Sequence, residues 1–220
     1  MTAKDLINYT IPPLKLSDSV KKAQKWMEKF HVNEFPVVDK GEYYGIFSED
    51  LIFDQKNKGD LINEYDLKGR GVYVTANEHY YEILNKSYTE NLDLIAVLDE
   101  HQFLGVICIQ DVVEAFSKMS SISSPGAIIV IMIPQIDYSM AEISRIIESE
   151  YGKILSSFVE NHPDDPSKLL VTVKLNVESA KNIISALERF GFTISSIYKR
   201  ETDNEVEQVR LDTLFKYLQI

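Results

Sequence analysis

Asp39-Lys40-Gly41-Glu42-Tyr43-Tyr44-Gly45-Ile46-Phe47-Ser48 returns sixty residues later as Asp99-Glu100-His101-Gln102-Phe103-Leu104-Gly105-Val106-Ile107-Cys108. The same offset sets Phe35-Pro36-Val37-Val38 over Ile95-Ala96-Val97-Leu98, Leu14 over Val74, and Ser17 over Asn77. After the glycine the register slips by one, so that Asp50-Leu51 meets Asp111-Val112. Self-similarity at a fixed period marks two copies of one supersecondary unit.

Each copy reads alike. A short extended entry (Pro13 to Leu16; Val72 to Thr75) leads into a helix. The spacing predicts the first helix from a cap at Ser17 or Asp18, with Val20, Ala23, Met27 and Phe30 inward. The second starts from a cap at Asn77, with Tyr80, Ile83 and Leu84 inward. Two strands follow, joined by a tight polar turn: Phe35 to Val38 with Tyr43 to Phe47, then Leu94 to Leu98 with Phe103 to Ile107. A further helix begins near Glu49 and near Ile109, the later one with Val112, Val113, Phe116 and Met119 on one side.

Beyond residue 119 the pattern changes. Ser120 to Gly126 has linker composition. Ala127 to Ile133 is a continuous apolar run, as expected of a buried strand. Ser139 caps a helix with Ile143, Ile146 and Ile147 inward. Strands are expected over Lys153 to Glu160, Leu169 to Leu175 and Phe192 to Tyr198, with a helix over Ser179 to Phe190. That is βαββαβ, the split ferredoxin-like order. A last helix over 203–220 carries Val206, Val209, Leu214 and Leu218.

The chain has 220 residues, and 34 acidic against 23 basic residues give a net charge of −11. Wide-faced nucleic-acid binding needs clustered Lys and Arg, so this balance excludes it, and it disfavours anionic membranes too. Cys108 is the only cysteine, which excludes an internal disulfide framework and suits a reducing compartment. The N-terminus has no signal-peptide pattern, and no apolar run approaches the roughly 18 residues of a membrane span. A cytoplasmic protein is expected. His31, His79, His101 and His162 have no ligand spacing, so no metal is expected.

The order strand, helix, strand, strand, helix, with Pro-Val-Val-Asp at 36–39, Gly-Ile-Phe-Ser at 45–48 and a following Asp-Leu, resembles the CBS domain. The resemblance implies a tandem pair with copies over 1–60 and 61–119, packed about a pseudo-twofold axis. It further implies two clefts that take AMP, ADP, ATP or S-adenosylmethionine. In the family a Ser or Thr ends the second hairpin strand and an Asp three residues on receives the ribose hydroxyls.

Copy two keeps the spacing at Asp111 but has Cys108 for the hydroxyl. Copy one keeps the hydroxyl, Ser48, but Asp50 comes one residue early, with Glu49 the neighbouring alternative. Lys68 and Arg70 are the candidate phosphate contacts. The stripe Lys21, Lys25, Lys29 reads as a solvated helix face. Residues 127–202, with Glu188-Arg189-Phe190-Gly191-Phe192-Thr193-Ile194, resemble an ACT domain. Asp137 stands in the loop where ligand-binding members also carry a glycine that this chain lacks, which favours assembly over an amino-acid site.

The whole layout, an α+β chain with a CBS pair, then an ACT-type unit over 127–202 and a tail over 203–220, resembles acetoin-utilisation-type CBS proteins of bacteria. It implies a non-enzymatic regulatory module that binds an adenine nucleotide or adenosyl ligand and signals through a homodimer. The rival reading is an assembly scaffold with vestigial clefts. The first 119 residues hold 13 basic and 20 acidic residues, so the half expected to bind an anion is the more acidic one, and AMP or an adenosyl ligand fits it better than a polyphosphate.

Overall fold

The computed structural model describes residues 1–53 and 59–198. The expected helix over 203–220 lies outside them. The chain divides into two compact units, Met1–Ser117 and one beginning at Lys118.

The first unit consists of the two copies. Copy one runs through α1 (Val20–Phe30), β1 (Glu34–Asp39), β2 (Glu42–Ser48) and α2 (Glu49–Phe53). Copy two runs through β3 (Tyr73–Thr75), α3 (Tyr80–Glu90), β4 (Leu94–Asp99), β5 (Gln102–Cys108) and α4 (Ile109–Ser117). The hairpin registers repeat pair for pair: Glu34 faces Ser48 and Val37 faces Gly45, as Leu94 faces Cys108 and Val97 faces Gly105. Each hairpin carries its bulge at the same place, after Val37 and after Val97. The entries match as well. Val74 lies parallel to Val97, and Leu14 makes the equivalent bridge to Val37. Leu14, Phe35, Ile46, Phe47, Ile83, Leu94, Ile95 and Ile107 are fully buried in one core shared by both copies.

The caps differ from expectation. Ser19, not Ser17 or Asp18, caps α1, its hydroxyl accepting from the Lys22 N–H at 3.3 Å. Asp18 is held instead by the Lys15 N–H and by the Lys22 ammonium, each within 2.8 Å. For α3 the cap is His79 rather than Asn77. Val113 is not on the packed face of α4: it is 61% exposed.

The second unit is β6 (Ile128–Pro134), α6 (Met140–Ser149), β7 (Ile154–Asn161), β8 (Lys168–Leu175), α7 (Lys181–Arg189) and β9 (Thr193–Tyr198), preceded by a short α5 (Ser120–Ser123) within the expected linker. Its antiparallel sheet has the order β7-β8-β6-β9, the split βαβ arrangement. The apolar run at the start of this unit is not buried throughout. Ile129, Ile131 and Ile133 are buried against the helices' Ile143, Ile146, Ile183 and Leu187. Ile128, Val130 and Met132 alternate onto a face that stays half exposed. The sheet carries its helix core on one side only, so the period of two reasserts itself within an all-apolar run.

Candidate functional site

The two copies exchange their entry segments. The stretch before copy one crosses to copy two, where Asn8 bridges Val106 on β5, its N–H donating to the Val106 carbonyl at 2.7 Å. The stretch before copy two crosses back, and Lys68 and Ile46 on β2 exchange N–H···O bonds of 2.8 and 3.0 Å. Asn8 and Lys68 are themselves sixty residues apart, as are Val106 and Ile46, so one crossing is the pseudo-symmetric image of the other. The repeated glycine makes room for each. A Cβ on Gly45 would lie 2.7 Å from the Lys68 carbonyl oxygen, and one on Gly105 would lie 2.6 Å from the Ile7 side chain.

Each crossing brings a donor to the carboxylate at the head of the next helix. The Asn8 amide donates to Asp111 at 3.0 Å. Lys68 pairs with Asp50, which also accepts from the Ser48 hydroxyl. Ser48, Asp50 and Lys68 therefore form one cluster despite the shortened spacing. Burial pulls the Asp50 pKa upward, but the bonds from Lys68 and Ser48 outweigh it and hold the carboxyl below its ordinary value. Arg70 does not join them: it is exposed and meets Asp66 at 3.5 Å. Glu49 also stands apart, on a groove with Lys21 and Lys25 of α1, and these lysines are exposed as expected.

Where the hairpins of the two copies meet, a cavity of about 400 Å³ opens, lined by Asn33, Glu34, Asp93, Cys108, Ile109 and Val113 among others. Glu34 was not singled out from the sequence, yet it is 6% exposed and is the chief polar group here. Its Oε2 accepts from the Asp93 and Leu94 N–H groups at 2.9 and 3.0 Å, so a side chain of copy one grips the backbone of copy two. Burial raises its pKa to about 7, with Asp93 adding to the rise, against the pull of those two N–H donors and of Lys68. The repeat held the clue, since Glu34 aligns with Leu94: one copy starts its strand with a carboxylate where the other has a leucine.

Cys108 lines the same cavity. Burial, together with Asp111, Glu34 and Asp93, pushes its thiol up to about 12, which makes it a poor nucleophile. Among the described residues no cluster of three or more His, Cys, Asp or Glu is placed to hold a metal, and no helix is long and apolar enough to cross a membrane. Asp137, in the second unit, ends a single 3-10 turn after β6.

No family model matches the chain. It is similar to several solved structures of CBS-domain proteins. A CBS domain pair/ACT domain protein from Thermotoga maritima is 20% identical, with a TM-score of 0.46 over 53% of this chain and 96% of that one. CBSX2 in complex with AMP is 16% identical, with a TM-score of 0.48 over 54% of this chain and 98% of that one. The CBS domain pair of protein MJ0100 in complex with 5′-methylthioadenosine and S-adenosyl-L-methionine is 24% identical, with a TM-score of 0.45 over 53% and 99%.

Proposed function

We propose that Met1–Ser117 is a tandem CBS pair acting as a non-enzymatic regulatory module. It binds an adenine nucleotide or adenosyl ligand between its copies, and a homodimer built on the ACT-type second unit passes on the state. The reading includes a cytoplasmic location and the acetoin-utilisation-type layout. The exchange of entry segments carries it. The carboxylate best suited to a ribose, Asp111, is held by Asn8, a residue from the segment that leads into the other copy. A ligand that takes Asp111 from Asn8 competes for a contact that ties the copies together. Its binding energy is thereby coupled to their packing, which is what a differential affinity for two arrangements requires.

Calorimetry with AMP, ADP, ATP and S-adenosylmethionine tests this on the intact chain. Binding of at least one is expected, with Asp111→Ala weakening it by about 10- to 100-fold, the worth of a charge-assisted hydrogen bond of roughly 1.5–3 kcal/mol. Silence from all four at millimolar concentration refutes the reading. The scaffold alternative is favoured in copy one by the engagement of Asp50 with both Ser48 and Lys68. It expects a stable dimer whose melting no nucleotide shifts.

A further inference from the structure

The second unit leaves one side of its sheet open. Cross-strand partners share a side, so the register groups Ile128, Val130 and Met132 of β6 with Leu170 of β8, Phe158 of β7 and Tyr198 of β9. All six are half-exposed or exposed, Phe158 at 54% and Tyr198 at 60%. α6 and α7 pack on the other side. α5 reaches this side at one corner, where the Lys174 ammonium donates to the Ile122 carbonyl. What remains is an apolar strip along β6 and β8, the two central strands, of the kind that marks a docking surface.

The place where β9 ends names the occupant. β9 is an edge strand, and Tyr198 stands on the open side opposite Ile128, at the end of the sheet where β6 begins. Residues 199–220 follow and lie outside the described ones. Lys199 to Glu205 contain no apolar residue, and at about 3.3 Å per residue these seven reach roughly 23 Å, enough to turn back over the sheet. From Val206 to Ile220 eight of fifteen residues are apolar. The polar Gln208, Asp212, Lys216 and Gln219 fall at i, i+4, i+8 and i+11, one stripe of a helix.

The dimensions agree. Fifteen helical residues measure about 22 Å, and the seven residues of β6 about 23 Å. A helix about 10 Å across covers two strands about 4.8 Å apart. Tethering to the edge of the same sheet holds this segment at an effective concentration in the millimolar range, ahead of a second copy in dilute solution.

We infer that residues 206–220 form an amphipathic helix that docks on the open side of their own sheet, along β6 and β8, and runs back toward Met132. Val206, Val209, Leu214 and Leu218 meet the apolar strip, and the stripe of Gln208 and Asp212 faces water. The second unit then has three layers, helix, sheet and helix pair, with both sides of its sheet covered. A homodimer of this unit is left the strand edges and the outer sides of α6 and α7.

Hydroxyl-radical footprinting of the full chain, read by mass spectrometry, tests the docking. Met132 reports the strip and Met140, on α6, is the internal reference, since a thioether oxidises according to its exposure. In the wild-type chain Phe215 and Leu218 are expected to oxidise several-fold more slowly than in a free peptide of residues 199–220, equally at low and high protein concentration. Leu214→Glu combined with Leu218→Glu is expected to raise the Met132 to Met140 ratio several-fold without changing the molecular mass in sedimentation. Asp212→Ala, on the polar stripe, should leave the ratio at its wild-type value. Oxidation of Phe215 and Leu218 as fast as in the free peptide overturns the inference, and so does a ratio unmoved by the double substitution. Protection that disappears on dilution, or a mass that halves as Met132 becomes exposed, assigns the cover to a second copy and overturns it equally.

Discussion

Replacing Glu34 by Gln changes one atom and removes one buried charge. In the folded chain burial raises the pKa of this carboxyl to about 7, whereas in the unfolded chain it returns to the ordinary 4.5. Between those values the folded state holds the proton more firmly, so the stability of the first unit falls as pH rises from 4.5 through 7 and then levels off. The gap between about 7 and 4.5, at roughly 1.4 kcal/mol per pH unit, amounts to about 3 kcal/mol. Glutamine keeps an oxygen for the Asp93 and Leu94 N–H groups and has no proton to lose, so its stability lacks this slope.

Trp26 is the only tryptophan and packs on Phe30 and on Phe35, the residue next to Glu34. Its fluorescence therefore reports the unfolding of the first unit by urea. Near pH 5 the two proteins should unfold at similar denaturant concentrations. Near pH 8 the variant should gain by about 3 kcal/mol, a midpoint displacement of roughly 1–3 M at the usual dependence of about 1–3 kcal/mol per molar urea. Tyr43 and Cys108, both raised by burial and in part by Glu34, titrate above this range, so the difference between the two proteins from pH 5 to 8 isolates Glu34. Parallel profiles from pH 5 to 8 would show that Glu34 does not carry a desolvation cost at the seam.

Other expectations follow from packing. Gly45→Ala should cost more than Gly105→Ala, of order 1–3 kcal/mol, by the same urea assay. The added methyl meets the Lys68 backbone carbonyl in the first case and the Ile7 Cγ2 methyl, a side-chain group, in the second, and of the two only Gly45 has a positive φ, +137°. Ile131→Ala should destabilise the second unit by about 2–5 kcal/mol in calorimetric melting, and Val130→Ala, on the half-exposed face of the same strand, by much less. Ser19→Ala should cost about 1 kcal/mol while Ser17→Ala leaves the midpoint in place, since only Ser19 meets the α1 N-terminus.

The pairing within each hairpin could be read from the offset of sixty because register is a local property, set by the turn and by the alternation of side chains. The caps could not. Ser17, Asp18 and Ser19 are all competent, and the choice fell where Asp18 was already held by Lys15 and Lys22. The run at the start of the second unit hid its two faces because both are apolar, and only the one-sided placement of α6 and α7 distinguishes them. Asp111 and Asp50 follow from the CBS resemblance, which sets an Asp after the second hairpin strand, but the resemblance does not give their partners. Lys68, a candidate phosphate contact by its place in the sequence, meets Asp50, while Asn8 lies 103 residues from Asp111 along the chain. Contacts of that range leave no periodic trace in either segment.

The crossing of Ile7 to Tyr9 over β5 also bears on how the chain keeps to itself. β5 is the last strand of its sheet, and without the crossing its Val106 carbonyl would face outward, unpaired. An open strand edge recruits the edge of another molecule. Copy two therefore depends on residues 7–9, a segment that leads into the other copy, to be safe from association at β5. A chain lacking residues 1–9 should retain every residue of its second hairpin and yet become sticky there, with β5 offered to a neighbour in place of the Ile7–Tyr9 segment.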